Sequence, residues 1–130
     1  MEKKIIQTDN APKAIGPYSQ AIKKTGMLFT SGQLGIDTET GHLAEGVEAQ
    51  AHCAMKNLLA VVTAAGMNQS HIVKTTIFLT DLADFAVVNQ VYASYFEQDY
   101  PARSCVQVAA LPLGGLIEIE CVVMESCQST

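Results

Sequence analysis

Residues 47–66 read VEAQAHCAMKNLLAVVTAAG, and their apolar side chains recur at the spacing of one helix face. The residues on this face are Val47, Ala51, Ala54, Leu58, Val62 and Ala65. The period predicts an amphipathic helix over residues 47–65, and Gly66 is typical of the residue that ends a helix. Because the face is rich in alanine, the helix can approach a sheet closely.

The residues that follow change from a helical to a strand pattern. Residues 72–79 are rich in β-branched side chains and predict a strand. Asp81 can then cap a second helix, whose stripe recurs at spacings of three and four. The members of this stripe are Leu82, Phe85, Asn89, Tyr92 and Phe96, of which only Asn89 is an amide.

The remaining segments have the period of strands, and the order of elements indicates the fold class. We predict strands at residues 3–7, 19–24, 27–32, 104–110 and 116–125, with turns at 31–33, 37–41 and 111–115. The order β-β-β-α-β-α-β-β predicts an α+β domain with a mixed sheet of about six strands and both helices on one face. The other face would stay partly apolar, which favours oligomerisation.

Composition limits the classes of partner. The 130 residues fit one domain, predicted over residues 1–130, with 48% hydrophobic residues and a net charge of −5. Eight Lys and Arg without a basic run leave little to neutralise a phosphate backbone, so we expect no nucleic-acid partner. No segment approaches the ~18 apolar residues of a membrane span, and no signal peptide is recognisable. We therefore expect a soluble, cytoplasmic protein.

The cysteines and histidines do not indicate a metal site. Cys53, Cys105, Cys121 and Cys127 lack the close pairing of zinc or redox motifs, and His42, His52 and His71 lie in different predicted elements. A domain of this size does not need disulfides. We expect reduced thiols and no bound metal.

The strongest candidate chemistry lies near the carboxyl end, in PARSC (residues 101–105) and LIEIE (residues 116–120). We predict that the two strands form a hairpin, with Arg103 on a polar face that coincides with that of Glu118 and Glu120. A loop of about five residues leaves the register open, so Arg103 lies opposite Glu118, Glu120 or neither. The pattern fits a surface salt bridge as well as a site in which arginine binds a carboxylate and a glutamate orients water.

Four other features are weaker candidates from pattern alone. Tyr18 follows a Gly-Pro turn, and Ser31-Gly32 ends a strand with bare backbone that allows close approach. Asn89 needs a hydrogen-bond partner if it is buried, which favours a tether over a substrate contact. Cys105 has no histidine near it in sequence to activate the thiol, so a nucleophilic role is disfavoured.

Several motifs occur in an order and spacing that resemble the RidA (YjgF) reactive-intermediate deaminases, over essentially the whole chain. They are IGPYSQA (15–21), TSGQ (30–33), IVKTT (72–76), DF (84–85) with VN (88–89), PARSC (101–105) and IEIE (117–120). The resemblance implies a chorismate-mutase-like fold and a homotrimer with a central β-barrel and clefts between subunits. It implies hydrolysis of 2-imino acids, such as 2-iminopropanoate and 2-iminobutanoate, to 2-oxo acids and ammonia, without cofactor or metal.

The resemblance also assigns roles to residues and separates Glu118 from Glu120. Arg103 would bind the substrate carboxylate, and Glu118 would orient or activate water. Lining the cleft would be Tyr18, Ser31, Gly32 and Cys105, with Asn89 in a supporting role. Two other classes of function stay open: a sensor that binds 2-oxo acids without turnover, and the ribonuclease activity sometimes ascribed to this family.

Overall fold

The computed structural model describes residues 2–126, which form nine strands and two α-helices. In chain order they are β1 (Lys4–Ile6), β2 (Ala21–Lys24), β3 (Met27–Thr30), β4 (Gln33–Leu34), β5 (Ile36–Asp37), β6 (His42–Leu43), α1 (Val47–Ala64), β7 (Ile72–Leu79), α2 (Phe85–Ala93), β8 (Ala102–Gln107) and β9 (Ile117–Met124). Short 3-10 turns at Gln69–His71, Leu82–Asp84 and Pro112–Gly114 precede β7, α2 and β9. Neither helix is long and apolar enough to cross a membrane.

The main sheet is mixed and has seven strands, ordered β1-β2-β3-β9-β7-β8, with β4 also paired to β9. Among the strand pairs of the described residues, β7 and β8 alone run parallel in this sheet, and the other pairs are antiparallel. The predicted α+β class is confirmed. The sheet has one more strand than expected, because the chain breaks at Ser31-Gly32 and rejoins β9 as β4. The predicted turn at 37–41 connects β5 and β6, which form a separate two-stranded sheet.

Both helices pack on one face of the sheet, as the order of elements predicted. Helix α1 begins and ends within one residue of its predicted bounds, and Gly66 follows it with a positive φ of 80°. Asp81 caps the 3-10 turn at Leu82–Asp84, and α2 ends at Ala93, so the second helix is shorter than its apolar stripe. The buried residues that join the helices to the sheet include Ala54, Leu58, Val62, Val88, Tyr92, Ile77 and Ile119.

The predicted hairpin of the last two strands is wrong. Strand β8 pairs with β7 in parallel, and β9 lies on the other side of β7. The physical reason is that α2 connects β7 to β8 as a crossover, which places β8 at the edge of the sheet. The segment 108–116 then returns the chain past β7.

The predicted alternation within each strand is correct, but the two polar faces do not coincide. Arg103 pairs with Thr75, which is fully buried under α2, so Arg103 lies on the helix face. Glu118 pairs with Phe78, whose neighbours Ile77 and Leu79 point into the core, so Glu118 lies on the opposite face. Two strand spacings and three residues separate Arg103 from Glu118, a Cα distance of about 14 Å.

The face without helices, called here the open face, exposes large apolar side chains. They include Ile5, Phe29, Val106 and Met124, each at least 42% exposed. Ile5 and Phe29 align across β1, β2 and β3, and Phe29 pairs with Val122 on β9. The expected apolar face is therefore present. Cys127 lies outside the described residues.

Candidate active site

A cavity of about 860 Å³ opens on the side of the sheet that carries Glu118. Its walls come from the loop before β2, the break between β3 and β4, and the 3-10 turn before β9. The lining includes Asp9, Lys13, Ile15, Tyr18, Ser31, Gly32, Leu34, Ile36, Leu113, Glu118 and Glu120. Four of the residues predicted for the site, Tyr18, Ser31, Gly32 and Glu118, meet here, and we call them the cavity group.

Gly32 is a glycine because Glu118 occupies the space beside it. A Cβ atom built on Gly32 would lie 2.6 Å from Cδ and 2.8 Å from Oε1 of Glu118. Leu34, two residues later, pairs with Glu118 in the β4–β9 ladder. The missing side chain lets the glutamate lie directly against the backbone of the β3–β4 break.

The Glu118 carboxyl has an altered affinity for protons. Burial raises its pKa above the ordinary 4.5, and the negative charge of Glu120 on the same strand face raises it further. A carboxyl with a raised pKa can both accept and return a proton nearer neutral pH. Pattern alone left Glu118 and Glu120 as alternatives and the resemblance chose Glu118, whereas both carboxylates line the cavity.

Tyr18 and Ser31 are fixed by contacts with the chain that surrounds the cavity. The Tyr18 amide donates to the carbonyl of Gly16 at 2.8 Å, and the phenol ring is about half exposed. The Ser31 hydroxyl donates to the carbonyl of Ser19 at 2.6 Å. The buried Gln20 side chain bonds Thr8 and Pro12 and so fixes the loop that forms one wall, a role that sequence reasoning missed.

Arg103 lies in a different environment, on the face of α2. Its Nη1 donates to Oδ1 of Asn89 at 2.6 Å, and its guanidinium carbon lies 5.1 Å from the ring centre of Tyr92 and 5.4 Å from that of Phe85. Phe85, Asn89 and Tyr92 lie at positions i, i+4 and i+7 on one stripe of α2. Both rings lie within the ~6 Å range of cation–π contacts. Asn89 is thus the tether that its position in the stripe suggested, although it is exposed.

No carboxylate neutralises Arg103 among residues 2–126, where the one ion pair joins Lys23 and Glu125 at 2.8 Å. The salt-bridge interpretation of Arg103 with Glu118 or Glu120 is therefore wrong. An arginine held by an amide and two rings keeps its charge and several N–H donors available for an anion.

Cys105 lies two residues from Arg103 on the helix face and packs partly against the core. Burial raises the pKa of its thiol, and the nearby Arg103 charge offsets part of that rise. Burial raises the pKa of Cys121, in the centre of the sheet, to about 12. Neither thiol has the lowered pKa of a cysteine nucleophile, which agrees with the weak case for one from sequence.

The predicted site residues therefore form two groups that one chain does not bring together. The cavity group holds Glu118, and an arginine group holds Arg103, Asn89 and Cys105. Sequence reasoning missed the roles of Phe85 and Tyr92 in the arginine group. Their i, i+4, i+7 spacing with Asn89 was the available signal, but it was interpreted as core packing.

The chain is similar over nearly its whole length to proteins of one family. The family model described as Endoribonuclease L-PSP matches residues 8–125. The 2-iminobutanoate/2-iminopropanoate deaminase of Salmonella typhimurium is 49% identical over 124 residues, 93% of this chain and 97% of that protein. The chloroplastic reactive intermediate deaminase A of Arabidopsis thaliana is 51% identical over 123 residues, 94% of this chain, which spans only 66% of that longer protein.

The fold gives the same result. The crystal structure of TdcF from E. coli with bound serine superposes with a TM-score of 0.92 at 46% identity, covering 95% of this chain and 99% of that one. The family model, the relatives and the fold agree with the resemblance seen in the motifs. The chain belongs to the RidA (YjgF) family of reactive intermediate deaminases.

Proposed function

We propose that the protein hydrolyses 2-imino acids to 2-oxo acids and ammonia. The observation that carries the proposal is that Arg103 has no neutralising carboxylate among residues 2–126, which suits the carboxylate common to all these substrates. The related Salmonella deaminase is named for 2-iminobutanoate and 2-iminopropanoate, and these are the first substrates to test.

In the proposed reaction, Arg103 holds the carboxylate bidentately while Glu118 accepts a proton from water. The water oxygen bonds to C2, the electron pair of the C=N bond moves to nitrogen, and Glu118 returns its proton to that nitrogen, which gives a 2-amino-2-hydroxy acid. The hydroxyl proton then passes through Glu118 to the amino nitrogen, the C–N bond breaks, and ammonia leaves as the C=O bond forms. The raised pKa of Glu118 suits a group that must both take and return this proton.

The remaining predicted residues would shape the cleft. Tyr18, Ser31 and Gly32 would line it around Glu118, and Cys105 would line it beside Arg103 through its backbone. Asn89 would hold the guanidinium in place. No metal or cofactor has a role in this proposal.

The separation of the two groups supports a site between copies of the chain. Arg103 lies on β8, an edge strand, and the cavity group lies on the face that exposes Phe29, Val106 and Met124. We propose a homotrimer in which open faces line a central barrel and each β8 edge brings Arg103 to the cavity of the next copy. The apolar area covered would favour assembly.

A sensor that binds 2-oxo acids without turnover is the second candidate, since the related TdcF was crystallised with serine bound. Binding of 2-oxobutanoate without faster loss of 2-iminobutanoate would favour it. The ribonuclease activity in the family model's description is disfavoured by the net charge of −5.

Arg103→Ala tests the proposal directly. We generate 2-iminobutanoate with an amino-acid oxidase and follow its disappearance. Loss of a charge-assisted bidentate contact costs about 2 to 4 kcal/mol, so we expect kcat/KM to fall about 30- to 1000-fold. A variant as active as the parent would refute the role of Arg103.

A second variant, Asn89→Asp, keeps Arg103 but neutralises its charge. Asn89→Asp places a carboxylate against Nη1, so Arg103 should bind substrate more weakly and KM should rise about tenfold. Gln90→Glu is the matched control, because it adds the same charge at the next, exposed position of α2. Equal KM values for the two variants would count against the assigned role.

A further inference from the structure

The cavity is much larger than the reacting part of the proposed substrate. At about 860 Å³ it falls in the range that encloses drug-sized ligands, ~300–1,000 Å³, whereas 2-iminobutanoate has only four carbons. The carboxylate and the imine need Arg103 and the cavity group. The rest of the wall is shared between the next copy, which brings Arg103, and the substituent on C2.

That wall is formed in large part by aliphatic side chains. Leu34 and Ile36 form its inner part, while Ile15 and Leu113 lie at the mouth with 83% and 67% of their surfaces exposed. A Cβ on Gly115 would lie 2.9 Å from Cδ2 of Leu34, so the turn that carries Leu113 packs closely on the inner wall. Large exposed aliphatic groups at a cavity gain free energy when an apolar ligand covers them.

Leu113 is also held in an unusual backbone conformation. Its φ is +61°, in the left-handed region that leucine rarely adopts, and Gly114 follows with +74°. A polar residue such as asparagine would suit this conformation better than leucine does. Leu113 therefore lies at the mouth of the cavity although its backbone conformation is unfavourable for leucine. We take this as a sign that its apolar surface contacts a ligand.

The charges around the cavity disfavour an acidic substituent. Among residues 2–126 of one copy, Asp9, Glu118 and Glu120 line the cavity with Lys13 as the one opposing cation, while Arg103 from the next copy is taken up by the substrate carboxylate. A second carboxylate on the substrate would meet this excess of negative charge.

We propose that Leu113 and Ile15 determine substrate specificity, and that the site prefers 2-imino acids whose C2 substituent is apolar and has four or more carbons. This rests on the proposed function and deepens it. Leu113 and Ile15 cover the substituent, while Arg103 and Glu118 act on the carboxylate and the imine.

The test compares imino acids made by an amino-acid oxidase from leucine, alanine, glutamate and arginine, using the full chain. We expect the highest kcat/KM for the leucine-derived imino acid, about tenfold above the alanine-derived one. Leu113→Gln should lower this ratio about 5- to 20-fold. Ile15→Gln should act in the same direction, and Val87→Gln, which removes an exposed apolar side chain outside the cavity, should leave the ratio unchanged.

Two results would overturn the inference: a ratio that neither variant alters, or a preference for the glutamate- or arginine-derived imino acid. Failure of the proposed function is recognised separately, as no turnover of any imino acid. Calorimetry with 4-methyl-2-oxopentanoate and 2-oxopropanoate then decides the inference. Tighter binding of the former that Leu113→Gln abolishes supports it, and equal binding of the two acids overturns it.

Discussion

Gly32 shows how one missing side chain can position a proposed catalytic group. Its φ is not positive, so an alanine there is not excluded by backbone strain. The restriction comes from space, because an added Cβ would overlap the Glu118 carboxyl. We expect Gly32→Ala to displace Glu118 by about 1 Å and to lower kcat about 100-fold, as measured by imine turnover.

A double-mutant cycle separates this steric effect from general damage. In the parent, Gly32→Ala should destabilise the fold by about 1 to 3 kcal/mol, since overpacking forces its neighbours to shift. With Glu118→Ala, the clashing atoms are gone and the same change should cost little. Equal costs in both backgrounds, measured by urea unfolding, would show that Glu118 is not what excludes the methyl group.

Glu118 should make stability depend on pH. Its pKa is raised in the folded protein, so the folded state retains a proton that the unfolded state has released. Stability therefore falls as the pH rises from the unfolded value of 4.5 through the folded pKa, and the cost persists above it. We expect Glu118→Gln to be more stable than the parent at pH 8 and no more stable at pH 4.

Urea unfolding at the two pH values measures this difference. Glu45→Gln is the matched control, because it removes the same charge from an exposed position before α1. Should Glu45→Gln change the pH dependence as much as Glu118→Gln does, the effect would belong to net charge rather than to the cavity.

At the scale of elements, α2 is joined to β7 by a buried hydrogen bond. The hydroxyls of Thr75 and Tyr92 lie 2.7 Å apart, Thr75 is fully buried, and the Tyr92 ring also supports Arg103. Thr75→Val leaves the Tyr92 hydroxyl without this partner and should cost about 1 to 3 kcal/mol. Adding Tyr92→Phe removes the unpaired group and should recover most of that loss.

The measurement is again the free energy of unfolding of the parent, both single variants and the double variant. A double variant destabilised by the sum of the two single effects would mean that the hydroxyls contribute independently. In that case Tyr92 would act through its ring alone.

The bounds of elements with strong periodicity were predicted well, but the pairing of the last two strands was predicted wrongly. Strand β7 has its predicted bounds, and α1 differs from its prediction by one residue, because burial imposes a clear period on both. Periodicity shows which residues of a strand share a face, but not which strand lies beside it. The helix between β7 and β8 was the available signal of a parallel pair, since such connections place the two strands side by side.

At the scale of the whole molecule, periodicity likewise did not show which residues of the candidate site lie close together. The motifs predicted Arg103 and Glu118 as site residues, but a single chain places them on opposite faces of the sheet. Because the predicted hairpin was wrong, the sequence did not show how far apart Arg103 and Glu118 lie in one chain. The proposed trimer joins an Arg103 from one copy to a Glu118 from the next.

Mixed oligomers test this arrangement. Arg103→Ala and Glu118→Gln chains are each expected to be inactive alone. In every trimer that contains both chains, one of the three sites combines an intact Arg103 with an intact Glu118, so about a third of parental activity should return in the mixed species.

Two affinity tags, one on each variant, isolate the mixed species after co-expression. Inactive mixed oligomers, shown by both tags to contain the two chains, would contradict a site shared between copies.

The buried Cys121 has a consequence for experiments on opening of the sheet. Alkylating reagents react with the thiolate, and a pKa of about 12 leaves almost none of it at pH 8. When β9 separates from its neighbours, the thiol regains its ordinary acidity and its access to solvent. The rate at which Cys121 is alkylated therefore measures how often β9 separates from its neighbours. Comparing that rate with and without a 2-oxo acid would show how strongly the ligand suppresses this opening.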